Sequence, residues 1–462
     1  MKNIPGTSKS IENFVSKLIR IALPIAAQEF IIMALNMIDI MMIGQKGEIS
    51  VASAALANQI TFILIILMFG IGSSASVFAA QYWGKRDVHN IRKILGISLL
   101  IAISSAGLIV ILSRVFPEKI IGLYSNDPDV IALGGKYLKI ACLGYIPMAI
   151  TSSFSAALRS TENVRLPMVT SIIALTINTF LNYCLIFGNF GFPEIGVLGA
   201  SIATVTSRII ECLIILFVSY RFKTAVAGKL SEFIDIKWTF FLRYIKIGSP
   251  VILNELIWVM GITLYNMVYA HIGTESIAAY NIASSVEGLA FTIFIGLSHA
   301  CAIIVGNQIG AEKNAEAVTD AKYSLQLALF GALAIGLIEI SISKQIVSVY
   351  QISETAHIAA RNLLLISGAT LWMRASNMAM YIGIIRSGGD TKFGLITEMM
   401  TIWLIGVPLA LLGAFVFHFS APIVYAMITV EEAVKLVIGF RRFQSGKWIN
   451  NIVKNTLSAD SA

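Results

Sequence analysis

Asp39, Asn178, Asn182 and Thr204 are the residues of this chain whose types and spacing best suit ion chemistry. A carboxylate, two amides and a hydroxyl offer the oxygen donors that small hard cations prefer. Asn178 and Asn182 stand four residues apart, so on a helix both amides project from one face. Asp39, Asn178 and Asn182 are the candidate metal ligands if the ion is sodium, and the same carboxylate could instead carry a proton. The plainer reading of the four is a hydrogen-bonded cluster that only packs helices together. A second group comprises Glu255 with its neighbours Asn254 and Trp258, then Glu287 and Arg374, and reads as a substrate or second cation site. An acid beside an aromatic ring suits an amphipathic cation, through charge and the attraction of a cation to the ring face. Arg374 with Glu255 or Glu287 also fits a structural ion pair, and Glu29 fits either a transport role or a neutral hydrogen-bonded acid.

These polar residues are set in a strongly apolar chain. Of 462 residues, 57% are hydrophobic and 13% charged, and the mean hydropathy is +0.80. Soluble domains carry roughly 25% charged residues, so a water-soluble enzyme is excluded and a polytopic membrane protein expected. Apolar runs fall near 18–43, 51–80, 94–116, 138–158, 167–188 and 196–220, then near 244–270, 277–308, 323–342, 362–385, 393–416 and 420–440. Each is about the 20 residues that a spanning helix needs, and backbone in hydrocarbon must be helical. The fold class is therefore all-α, with twelve transmembrane helices. Charge is expensive at such depth and marks bundle interiors and ion paths, which is why the acids above stand out.

With the N-terminus inside, the tails and even-numbered loops hold 24 of the 34 Lys and Arg, and the opposite loops hold 7. That bias places both termini in the cytoplasm. It also explains the net charge of +8 without nucleic acid. Residues 1–17 are polar and lack a cleavage site before the first apolar run, so the first span is expected to insert the chain. Cys142, Cys184, Cys212 and Cys301 lie in apolar stretches and read as small core residues.

The two sets of six spans are copies. A shift of 226 residues overlays Pro24 on Pro250, Glu29 on Glu255, Gly47 on Gly273, Gly70 on Gly296 and Gly84 on Gly310. Tyr265 takes the place of Asp39, so the acid in the outer third of the first span has no duplicate. Six spans is an even number, so the copies share one orientation and should be related by a pseudo-twofold axis along the membrane normal. The expected organisation is an N-lobe at 1–222, a cytoplasmic linker at 223–241, a C-lobe at 242–448 and a polar tail at 449–462. Pro24 and Pro250 lie one turn into matching spans and are candidate kinks or hinges. Pro147 and Pro408 are also intramembrane. Arg208 with Glu211, and Glu432 with Lys435, are i,i+3 neighbours and read as structural pairs.

The segments MIDIMMIG (37–44), ALRSTENVRLPM (157–168) and LNYCLIFGNFGFPEIGVLGASIATVTSR (181–208) resemble the multidrug and toxic compound extrusion (MATE) family. So do SPVILNELIW (249–258), IIRSGGDTKF (384–393) and RRFQSGKW (441–448). The resemblance implies two six-helix lobes around a central cavity, in a multi-pass protein of the bacterial cytoplasmic membrane. It implies export of organic cations and amphiphilic drugs by alternating access, coupled to sodium or proton entry, with no cofactor besides the coupling ion. The partners it implies are small molecules and membrane lipid, acting on a monomer. Asp39 matches the family's first-helix acid, Asn178, Asn182 and Thr204 its N-lobe polar cluster, and Glu255 its seventh-helix acid. The chain departs from some members by having Asn182 in place of an aspartate, and by lacking a tenth-helix aspartate, with Arg374 and Asn377 in that region. Weight therefore falls on the N-lobe.

The alternative is a lipid-linked oligosaccharide flippase of the same broad superfamily, which would line its cavity with several bases for pyrophosphate. Arg374 is the one strong candidate of that kind. A major-facilitator antiporter fits YWGKRDVHNIRK (82–93) poorly, and the short loops carry no paired acids for a polytopic transferase. No Gly-rich phosphate loop ending in Lys-Ser/Thr is present, so ATP is not the expected energy source.

Overall fold

The structure, a computed structural model, describes residues 7–454. Lys2 of the charge count and the end of the 449–462 tail lie outside the described residues. The regular elements among the described residues are all helical. Six rods form the first half: α1 (Thr7–Gly44), α2 (Glu48–Gly84), α3 (Val88–Val115), α4 (Pro128–Ser160), α5 (Arg165–Phe187) and α6 (Val197–Arg221). The second half has α7 (Trp238–Ile272), α8 (Thr274–Gly310), α9 (Asn314–Ser348), α10 (Glu354–Met378, continued by Ala379–Arg386), α11 (Thr391–Val416) and α12 (Ala421–Gln444). Ten are long and apolar enough to cross a membrane on composition. The other two, α10 and α12, are comparable rods diluted by Arg374 and Asn377, and by Glu431, Glu432 and Lys435.

Two of the local departures from α geometry adjoin prolines. Pro147 follows a 3-10 turn at Cys142–Gly144, and Pro408 follows a π-helical stretch at Ile402–Gly406. In both cases the ring denies a hydrogen bond to the preceding turn. Pro24 and Pro250 lie inside unbroken helices. The short α1–α2 and α7–α8 connections turn on the repeat-related Gly47 (φ +91°) and Gly273 (φ +151°), conformations open to glycine but strained for other residues.

The helices gather into two compact units. One spans Ala27–Ala79 and Arg86–Ile245; the other draws on Met1–Ala26, Ala80–Lys85 and Lys246–Ala462. The boundary crosses α1 just past Pro24. In the first unit, Ile43, Ala57, Tyr137, Leu138 and Ile186 form one apolar core. Leu95, Phe154, Leu158, Ile215 and Phe233 form another, and Phe233 comes from the connection helix Leu230–Ile234. In the second unit, Tyr269, Ala283, Leu364 and Val424 centre one core, and Trp448 with Met380 and Ile384 another. The four cysteines are buried and free.

Candidate functional site

Asp39 lies near the end of α1, five residues before Gly44. Asn182 on α5 donates through Nδ2 to Asp39 Oδ1 at 2.7 Å. Asn178, one turn earlier, donates to Asp39 Oδ2 at 2.8 Å when its amide is oriented to satisfy its surroundings, and its oxygen then accepts from the Thr204 backbone N–H at 3.2 Å. The four residues named from the sequence therefore meet in one place, on α1, α5 and α6. Both amides are buried, at 5% and 1% exposure, while Asp39 is only half-buried. An ion can thus approach the carboxylate while the amides stay fixed. Among the described residues Asn182 Oδ1 is buried without a hydrogen-bond partner, so the cluster keeps one oxygen in reserve beside the carboxylate. Tyr137 on α4, its hydroxyl paired with Asn58, is a further neighbour of Asp39.

The charged residues of the second group are held in two separate ion pairs. Glu255 on α7 makes a 2.8 Å ion pair with Arg386, both 8% exposed. Glu287 on α8 pairs instead with Arg374, and Tyr425 donates to its other oxygen at 3.2 Å. Arg374 also stacks 5.1 Å from the Tyr425 ring centroid. Glu255, Glu287 and Arg374 are thus held in two pairs. Arg374 and Arg386 are twelve residues apart on α10, roughly 18 Å at helical rise, so each meets a different acid. Asn254 is half-buried, and Trp258, at 42% exposure, has no share in the Glu255–Arg386 pair.

Around α12 the polar residues interlock differently from their spacing. Lys435 pairs with Glu398 on α11, whereas Glu432 accepts from Asn377 Nδ2 at 2.7 Å. The expected Glu432–Lys435 pair gives way because α11 packs on α12 and brings a carboxylate to the lysine. Tyr265, standing where the repeat would put an acid, donates to Glu431 at 2.6 Å. Arg208 and Glu211 pair at 3.0 Å as their spacing predicts. Glu211 also accepts from Ser171 at 2.7 Å, in a chain that continues through Gln28 to Arg159. Glu29 is half-buried near Arg159.

A family model described as MatE matches residues 24–184 and again residues 250–412. The chain belongs to the MatE family. The two matches begin at Pro24 and Pro250, the pair that the 226-residue shift superposes. Among curated relatives, the probable multidrug resistance protein NorM of Thermotoga maritima is 24% identical over 439 residues, covering 94% of this chain and 92% of its own. The NorM of Bradyrhizobium diazoefficiens is 26% identical, covering 87% of each. Among solved structures, a variant of the Vibrio cholerae MATE transporter VcmN superposes with a TM-score of 0.87 at 17% identity, over 96% of this chain and 99% of its own. The outward-facing form of a multidrug resistance MATE family transporter of the MOP superfamily gives 0.83 at 19% identity, over 93% and 96%. The fold is that of these MATE proteins, and the chain is an integral membrane transporter.

Within this MatE fold, three residues escaped the sequence reading. Arg386 lies in a segment that signalled the family and gave no hint of pairing with Glu255. Tyr137 lies in an ordinary apolar face. Glu339, on α9, is 4% exposed and lies in a span as apolar as those of the acids that were singled out. Among the described residues, no group of three or more His, Cys, Asp or Glu could hold a metal ion. A cation at Asp39 would therefore depend on amide and hydroxyl oxygens.

Proposed function

We propose that this MatE-family chain exports organic cations and other amphiphilic compounds across the cytoplasmic membrane in exchange for entering sodium ions or protons. The observation that carries the reading is the grip of Asn178 and Asn182 on a half-exposed Asp39, with the spare Asn182 oxygen beside it. Ion occupancy at Asp39 neutralises the carboxylate and changes what the two amides are holding, so it favours one conformation of α1. Substrate binding favours the other, and two ligands that stabilise different states are coupled in both directions. The relatives named for multidrug resistance support the substrate class. The 24-to-7 distribution of Lys and Arg supports cytoplasmic termini, with lobes at 1–222 and 242–448 joined by the 223–241 linker. One chain carries every residue the cycle uses, so the proposed working form is a monomer.

The flippase reading is weaker on geometry. Arg374, Arg386 and Lys435 sit opposite Glu287, Glu255 and Glu398, so the buried bases of this half are already engaged with carboxylates. The test is efflux of a fluorescent organic cation from proteoliposomes under separately imposed sodium and proton gradients. Export driven by either gradient, without ATP, is expected. Absence of export under both gradients, or movement of lipid-linked sugar instead, would overturn the reading.

A further inference from the structure

Glu339 is the one buried acid whose two carboxylate oxygens both lack a hydrogen-bond partner among the described residues. Its position is fixed by a close helix contact. Gly336, one turn earlier on α9, lies directly against the backbone of Gly368 on α10, where a Cβ would overlap the Gly368 carbonyl. Residues three apart share a helix face, so Glu339 is delivered into the same α9–α10 seam. There it faces Ser367, whose hydroxyl is likewise buried without a partner, and Ser367 in turn neighbours the Tyr425 hydroxyl. Tyr425 donates to Glu287, which pairs with Arg374. Glu432, Tyr280 and Tyr269 also lie around Arg374, and Tyr280 and Glu339 around Tyr425.

We propose that Glu339 is a second proton-binding site, connected to the Glu287–Arg374 pair through the hydroxyls of Ser367 and Tyr425. Among the described residues no cation pairs with this carboxylate, and a buried charge without a partner is costly. Each hydroxyl has a single proton to donate. With Glu339 protonated, donation runs in one direction, from Glu339 to Ser367, from Ser367 to Tyr425 and from Tyr425 to Glu287. When Glu339 loses its proton it becomes an acceptor, and the hydroxyls turn toward it. Glu287 then loses its tyrosine donor and holds Arg374 alone. The proton on α9 thereby sets the hydrogen bonding of a charged pair on α8 and α10, with no acid of this path shared with the Asp39 cluster.

The inference rests on the transport reading only for its consequence, so its test uses a readout that transport does not touch. Infrared difference spectra of the reconstituted protein, recorded between neutral and alkaline pH, should contain the carbonyl stretch of a protonated buried acid. That band should vanish in Glu339→Gln and move to a different frequency in Ser367→Ala and Tyr425→Phe, which alter its hydrogen bonding. Proton release on alkalinisation should fall by about one per molecule in Glu339→Gln. Survival of the band and of the proton count in Glu339→Gln would overturn the site. A band lost in that variant but unmoved in both hydroxyl variants would overturn the connection to Glu287. Should Glu339→Gln not fold, the wild-type band and its response to Ser367→Ala still decide the matter, and absence of the band in wild type refutes the proposal.

Discussion

Gly84 and Gly310, equivalent positions of the two halves, make the same contact with each other's helix. Gly84 abuts the backbone carbonyl of Asn307 on α8, and Gly310 abuts that of Gln81 on α2. Gln81 and Asn307 are themselves 226 residues apart, so the repeat shift carries the contact onto itself. The ends of α2 and α8 meet backbone to backbone there. Gln81 adds a clamp, donating to the carbonyls of Ser387 and Asn450 at 3.1 Å and accepting from the Ile452 N–H at 2.9 Å.

Because both neighbours are backbone, no side chain can give way to an added methyl. Gly84→Ala and Gly310→Ala should each cost about 1–3 kcal/mol, the usual range for overpacking. Gly394 is a helical glycine with open space around its Cβ position. Gly394→Ala should therefore leave stability unchanged or raise it by about 0.5–1 kcal/mol. Thermal unfolding of the three variants in detergent checks the contrast, and equal melting temperatures would refute the contact.

The Glu255–Arg386 pair leads to a second prediction. Removing one member of a buried pair strands the other charge, at a typical cost of about 3–5 kcal/mol, whereas replacing both by neutral groups costs much less. Glu255→Gln and Arg386→Met should each lower the melting temperature sharply, and the double variant should recover most of the loss. Additive losses in the double variant would mean that the two charges do not depend on each other.

The pair also shows where the sequence stops informing. Apolar runs sufficed to locate all twelve helices, because hydrocarbon forces helix on any spanning segment. The i,i+4 spacing of Asn178 and Asn182 put both amides on one face, and the family resemblance joined that face to Asp39. Neighbours on different helices are another matter. Spacing suggested Glu432 for Lys435, and comparable depth left Arg374 open to Glu255 or Glu287, but the packed helices gave Lys435 to Glu398, Arg374 to Glu287 and Glu255 to Arg386. Periodicity tells which face is polar, not which helix lies opposite. Glu339 lies in a span as apolar as those of the acids that were singled out, and what distinguishes it, the lack of a partner for its carboxylate, is visible only in the structure.

Outside the membrane, the connection helix Leu230–Ile234 is docked by charge. Arg92 donates to both oxygens of Glu232 at 2.7 and 3.0 Å, and Glu232 accepts from the Lys229 N–H at 2.6 Å. The backbone N–H and then the guanidinium hold the Glu232 carboxyl below its ordinary value of 4.5. A depressed carboxyl stabilises the fold above its unfolded value and loses that contribution as pH falls through its folded value. The protection factors of the residue 230–234 amides, taken against the intrinsic exchange rate at each pH, should thus be high at neutral pH and fall as pH drops below the ordinary carboxyl value of 4.5. Glu232→Gln should exchange faster at neutral pH with that acid-induced step removed. An unchanged acid step in the variant would assign it to another group.

Asp39 gives the most direct test of coupling. Asn is nearly isosteric with Asp, and Asn182 can turn its amide to accept where it now donates, so Asp39→Asn keeps the α1–α5 contact. Its yield and melting temperature should therefore stay close to wild type. Asn182→Leu differs, because it leaves a carboxylate short of a donor worth about 1.5–3 kcal/mol, the scale for hydrogen bonds to charged groups. That variant should be measurably less stable. Only the charge is missing in Asp39→Asn, so gradient-driven export should fall at least about tenfold, a loss of about 1.4 kcal/mol or more in the driven step. If the ion is sodium, the salt should raise the melting temperature of wild type and not of Asp39→Asn, since a ligand stabilises only the state that binds it. If the ion is a proton, sodium should leave both unchanged while wild-type export follows the pH gradient. Full gradient-driven export by Asp39→Asn would remove the carboxylate from the coupling step, because the amide in its place can neither neutralise a cation nor carry a proton.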